Sequence, residues 1–290
     1  MGWSGSLNAD SALGSAITFT PDTTTSHAYT VGTFTAPKKG VYKFTLKGSG
    51  GFPRSAAGGL GGLTTGYLLL ESGQVVYVGA GGTCSASFVS KTTGSALKNI
   101  SKENLYFVAG AGGSGGRADS GSGYNNKSSV GGDGGGTTGG NGGNIDGHPT
   151  AYGGTQTAGG GGSGGSGSYG VGKGGSYHNN GGSAHGGDGG DGLYGGGAGQ
   201  SSGLEGGAVG GGGGGGSGYI YTSSLTTGGN TYTNSTQQGG GAGRNVRGSV
   251  EVTYYALDSI PVVFNGTQLN KIIYNGTAIE HLIYNGQQLY

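Results

Sequence analysis

Apolar and polar residues alternate in short bursts along the first third of the chain. Residues 16–20 alternate around Ile17 and Phe19, and residues 28–35 alternate again. Residues 41–46 read Val-Tyr-Lys-Phe-Thr-Leu, which places Tyr42, Phe44 and Leu46 on one face. Residues 66–70, 74–79 and 104–108 continue the series. A period of two predicts half-buried strands, and Gly and Pro punctuation at this spacing predicts an antiparallel sandwich over residues 1–108. One further strand, 249–255, carries Val250, Val252 and Tyr254 on one face and needs a sheet to join. The sandwich is its natural partner.

Between these regions, residues 109–243 are mostly glycine, ending in the unbroken run Gly210 to Gly216. Glycine buries no side chain and loses the most backbone entropy on ordering, so composition alone describes a linker. Strands of one sandwich on both flanks would anchor the stretch and argue for order. The ordered form expected is a bundle of polyproline-II-like (polyglycine-II) segments. With no Cβ, such segments can lie close enough to bond N–H to C=O between neighbours. Collagen is excluded, because 80 Gly accompany only 5 Pro and no three-residue register exists. Islands at 117–130, 144–157, 176–180 and 219–238 would then be the tips where one segment turns into the next.

Residues 257–290 follow a different rule. Val262-Val263-Phe264-Asn265-Gly266, Ile272-Ile273-Tyr274-Asn275-Gly276 and Leu282-Ile283-Tyr284-Asn285-Gly286 repeat every ten residues. Asn-Gly between β-rich runs is a strong hairpin signal, because a type I′ turn needs φ > 0 at both central positions. The repeat predicts an antiparallel meander of 267–274, 277–284 and 287–290, with a β-helix as the alternative.

Charge and chemistry exclude more than they suggest. The formal charge is +1, with no basic run to bind nucleic acid. Cys84 is the single cysteine, no apolar run is long enough for a bilayer, and the first residues lack the parts of a secretory signal. The near P-loop ending at Lys173 lacks its Ser or Thr and any preceding strand. Gly186 to Tyr194 fits one calcium-binding nonapeptide with Asp188 and Asp191, but stacked copies are needed and the next nine residues lack aspartate. The five histidines show no ligand or triad spacing. No enzyme and no cofactor is expected.

Phe34-Thr35-Ala36-Pro37, then Gly40-Val41-Tyr42-Lys43-Phe44-Thr45-Leu46, resemble the opening strands of the glycine-rich domain family, and Gly61-Gly62-Leu63 through Leu70 with Ser72-Gly73-Gln74-Val75-Val76-Tyr77-Val78-Gly79 resembles its next hairpin. Val108-Ala109-Gly110-Ala111-Gly112-Gly113 looks like the entry to its glycine core, and residues 213–220 and 248–255 look like the exit. Members occur in the extracellular part of anaplastic lymphoma kinase receptors and in many bacterial and phage proteins. The family implies a β-sandwich carrying glycine helices, and phage adhesins use such bundles with binding loops at the tip. The Asn-Gly repeats are similar to those ending phage tail and fibre proteins. The resemblance therefore implies a virion protein assembled in the host cytoplasm, a tail-fibre or tail-tip adhesin. Other virion proteins and a host-surface glycan or protein would be its partners, and a homotrimer one arrangement. Alternatives are a purely structural capsid or collar fibre, and a calcium-dependent or ice-binding surface protein. Tips rich in Tyr, Ser, Asn and Gly resemble a paratope, which singles out Tyr124, Asn125, Tyr152, Tyr177, His178 and Asn179 as receptor-binding candidates.

Overall fold

The computed structural model describes residues 2–256 except 120–126, 146–149, 179–182, 205–206, 223, 228–229 and 233–235. It also describes the strand pairs 262–264/267–269, 273–274/277–278 and 283–284/287–288. The described residues are mainly β and the principal sheets are antiparallel. No described helix is long and apolar enough to cross a membrane.

The first eight strands are β1 (Trp3–Ser4), β2 (Ala16–Phe19), β3 (Tyr29–Thr35), β4 (Gly40–Lys47), β5 (Gly61–Leu70), β6 (Val75–Gly81), β7 (Ser87–Ser90) and β8 (Leu105–Ala109). Six strands form one sheet in the order β1, β2, Ser249–Ala256, β4, β5, Thr236–Gly243. Five form another in the order Tyr219–Ile220, β8, β7, β6, β3. The late strand Ser249–Ala256 lies inside the first sheet, where Val250, Val252 and Tyr254 stand opposite Leu46, Phe44 and Tyr42 of β4. All six are buried in a cluster that also takes Phe34, Val76, Val78, Val89 and Phe107 from the second sheet. Aromatic rings join the two sheets there: Phe44 lies 6.1 Å from Phe34 and 6.1 Å from Phe107, both measured between ring centroids. Burying such side chains contributes about 1.5–3 kcal/mol each. The alternation seen in the sequence is therefore the inner face of each sheet.

The glycine stretch leaves from β8 and returns beside it, since Tyr219 and Ile220 pair with Val108 and Phe107. Between those points the backbone is cross-linked with a period of three. Along 111–116, Ala111 and Ser114 donate their N–H groups to the carbonyls of Asp191 and Asp188. Gly112 and Gly115 donate to Ser49 and Phe52, and Gly113 and Gly116 to Gly132 and Ser129. Each neighbour is met at every third residue, so successive N–H groups point in three directions.

The segment 210–218 is the most enclosed. Gly211, Gly214 and Ser217 donate to Gln200, Gly197 and Tyr194, while Gly213 and Gly216 donate to Ser114 and Ala111, and Gly215 to Gly140. It accepts from Gly187, Gly190 and Leu193 along one side, from Ser129, Gly132 and Gly135 along another, and from Gly154. Six neighbouring stretches thus surround it, and 129–136 both supplies bonds and receives them, through the Ser129 hydroxyl and the Gly136 carbonyl. Such pairing meets the requirement that buried backbone groups find partners, here with almost no side chains present.

One expectation is corrected. Residues 219–238 are not a tip of the glycine stretch, because Tyr219–Ile220 joins β8 and Thr236–Gly243 runs antiparallel to β5. The Asn-Gly repeat forms its hairpins, and the stretches 270–272 and 279–282 that would join them into a meander lie outside the described residues. Phe264 pairs Thr267, Tyr274 pairs Thr277 and Tyr284 pairs Gln287, each within its own two-stranded hairpin. These pairings, each three residues apart, are the ones a two-residue loop requires.

Close approach sets a sharp mutational test. A Cβ added at Gly213 would lie 2.1 Å from the Asp188 carbonyl oxygen and 2.8 Å from that of Gly187, whereas one at Gly174 meets nothing within 4 Å. Gly213→Ala should lower stability by about 3 kcal/mol or more, the upper end of overpacking costs. Gly174→Ala should be neutral or stabilise by up to about 1 kcal/mol. Urea melts of the two variants check both values.

Candidate functional site

The hydrogen-bond order defines two ends of the glycine segments. Residues 111, 135 and 216–217 lie toward β8, and residues 116, 129 and 210–211 lie away from it. Side-chain-bearing islands gather at the far end, because a chain that reverses there leaves the lattice and regains room for a Cβ. Arg117–Asp119 pairs with Ser183–His185, which pairs with Tyr177–His178. Beside them Gly207–Gly210 pairs antiparallel with Ser201–Leu204 and parallel with Lys127–Ser128. Ala118, Ala184 and Ala208 are buried together, a miniature core between the two small sheets.

On this cap Tyr177 is 58% exposed. Its hydroxyl and that of Ser183 are 2.9 Å apart, and its ring lies 6.0 Å from that of His185. Ser176 and Ser201 hydroxyls meet at 2.9 Å. The aromatic ring is thus tethered through its hydroxyl with its surface open, an arrangement suited to contact with a ligand. Arg54, from the loop between β4 and β5, braces the cap from below. Its Nη2 donates to Asp188 Oδ2 at 2.9 Å, its Nη1 donates to the Gly186 carbonyl at 2.8 Å, and Nη1 also touches His185 Nδ1.

The other candidates fall elsewhere. Tyr152 lies on the flank of the glycine segments, not in the cap: its N–H donates to Gly161, its carbonyl accepts from Gly197, and its side chain is 55% exposed. Tyr124, Asn125 and Asn179 lie outside the described residues, as does the His178 side chain. The tyrosines divide between two uses. Tyr169, Tyr194 and Tyr219 pack against a buried cluster that includes Phe88, Leu97, Ile100 and Leu193. Tyr169 donates to the Ile100 carbonyl at 2.7 Å, and burial, with Glu103 and neighbouring tyrosines adding to it, pushes its hydroxyl up to about 12.

Both aspartates of the calcium-like nonapeptide have protein partners. Asp188 takes Arg54 and the N–H of Gly175. Asp191 is buried and accepts from Tyr29 at 2.7 Å and from the Gly172 N–H at 2.8 Å, and it meets His27 Nδ1 at 2.7 Å. Among the described residues no three His, Cys, Asp or Glu side chains cluster as a metal site. Cys84 is buried with its Sγ 3.0 Å from the Ser114 hydroxyl, and burial pushes its thiol up. The sequence carried no signal for the Arg54–Asp188, Arg54–His185 or His27–Asp191 contacts, because each joins residues more than a hundred positions apart.

In comparisons with known proteins, the chain matches no family model and no curated protein.

The His27–Asp191 pair makes stability depend on pH. Burial lowers the imidazole pKa, but the Asp191 carboxylate outweighs it and the net shift is upward from 6.5. Protonated His27 therefore contributes stability that is fully present below about pH 6.5 and is lost as pH rises through the raised folded-state value. Urea midpoints should fall over that interval. His27→Asn, which tolerates the left-handed backbone at φ +57, should lose that part of the slope.

Proposed function

We propose that this chain is a phage virion structural protein, a tail-fibre or tail-tip adhesin that meets a host-surface glycan or protein through the cap loops. In this reading the two sheets form a β-sandwich, and the glycine segments form a polyglycine-II bundle inserted into it. The three-residue hydrogen-bond period and the six neighbours of 210–218 support the bundle, because polyproline-II geometry has three residues per turn. The observation that carries the functional reading is the exposed, hydrogen-bonded Tyr177 on a cap at the far end of that lattice. A bonded backbone support that gathers Tyr177, Ser176, Ser183 and Ser201 on one cap, with Tyr152 exposed on its flank, has the form of a binding protein. The Asn-Gly hairpins at 257–290 serve assembly with other virion proteins, with a homotrimer as the proposed oligomer.

Amide hydrogen exchange tests the bundle. Residues 210–217 should exchange only through global unfolding, and random-coil exchange there removes the support. Adsorption tests the function. Replacing Tyr124, Tyr152 and Tyr177 together by Ser should reduce adsorption of particles carrying this chain by roughly tenfold or more. The melting temperature and particle assembly should stay unchanged. A variant that folds and adsorbs normally would give way to the capsid or collar fibre.

A further inference from the structure

The outer face of the six-stranded sheet carries a second surface feature, far in sequence from the cap. In the row Phe19, Val250, Leu46 the side chains are buried. Alternation therefore turns Thr18, Ser249 and Lys47 outward, with Ser249 directly opposite Lys47. The turn after Thr236–Gly243 folds over this face and brings Val246 and Arg247 beside them. A cleft of about 540 Å³ results, lined by Thr18, Thr20, Lys47, Val246, Arg247 and Ser249 among others. The cleft is open to solvent, so a ligand would lie along it with one face exposed.

The lining has a consistent chemistry. It holds two cations and three hydroxyls, and no carboxylate. Glu251 shares this outward face, directly opposite Thr18 and two residues along its strand from Ser249, and marks the acidic border of the cleft. Arg247 Nη1 donates to the Pro21 carbonyl at 3.3 Å, which steadies the guanidinium and leaves its other N–H groups to face outward chemistry. The Lys47 ammonium and the hydroxyls of Thr18, Thr20 and Ser249 take no partner among the described residues. Guanidinium and ammonium groups bind carboxylates through charge-assisted hydrogen bonds, and the hydroxyls can both donate to and accept from alcohols. Val246 adds an apolar wall for a C–H face.

We propose that this cleft binds an acidic saccharide, its carboxylate held by Lys47 and Arg247 and its hydroxyls by Thr18, Thr20 and Ser249. The site does not depend on the cap or on its function. It gives the sheet end of the molecule its own ligand, separate from whatever meets Tyr177.

Titration of the full chain with digalacturonate tests the assignment, with the neutral galactose disaccharide and inorganic phosphate as the other probes. Digalacturonate should bind with a dissociation constant on the order of 1 mM or below, weakening with added salt. Lys47→Met and Arg247→Met should each weaken it by roughly tenfold without a change in melting temperature, since both side chains are exposed. Tyr177→Ser should leave it unaltered, which separates this cleft from the cap. Equal binding of the neutral disaccharide would overturn the proposal, as would unchanged affinity in both cationic variants. Inorganic phosphate binding as tightly as digalacturonate would also overturn it, because only charge would then be read.

Discussion

The absence of a Cβ is the constraint on which the glycine region rests. Adding one at any position from Gly212 to Gly216 would bring it within 1.9–2.1 Å of a neighbouring carbonyl oxygen. Backbones at that separation can satisfy each other's N–H and C=O groups in every direction around a segment. Each such bond contributes only about 1 kcal/mol net, so the lattice gains from their number and not from any one. Ordering glycine costs more entropy than ordering any other residue. A lattice of this kind therefore needs help from outside itself.

That help comes from the sheets. The stretch enters after β8 and exits into a strand paired with β8, so its ends are held a few ångströms apart by a hydrophobic core. Side chains then rivet the interior to the sheets. Leu193 sits in the cluster with Phe88 and Leu105, Asp191 meets His27 and Tyr29, and Arg54 reaches Asp188. Few in number, these contacts fall on the same segment, 186–193, which in turn supplies bonds to 210–218. The chain thus places its rare large and charged residues where a bare backbone lattice meets an ordinary core.

The alternation at 41–46 and 249–255 was legible because a half-buried strand writes its period into the sequence, and Gly40–Lys47 and Ser249–Ala256 are strands. β7 escaped because Ser87–Ser90 is buried on both faces and shows no alternation. Thr236–Gly243 escaped because glycine fills half of it, and a Gly-rich strand carries no hydrophobic face. The Asn-Gly loops announced hairpins, and Phe264–Thr267, Tyr274–Thr277 and Tyr284–Gln287 pair accordingly. At the candidate site, Tyr177 was visible as an aromatic in a polar island. Tyr152 looked the same in sequence and lies on the flank, since distance from the sheets is set by segment register. The Arg54 brace was invisible, because Asp188 between glycines resembles a metal ligand as readily as half of an ion pair.

The unbroken run from Gly210 to Gly216 also bears on how such a gene can change. Every first- or second-base change in a glycine codon that yields an amino acid introduces a side chain. Within that run most such changes set a new carbon against a carbonyl oxygen. The cap strands, by contrast, rest on three alanines and on backbone pairing, which many side chains can accompany. Random mutation is thereby filtered by position: the lattice rejects it and the tips retain it. Diversity would accumulate at one end of the molecule without any selection for diversity there.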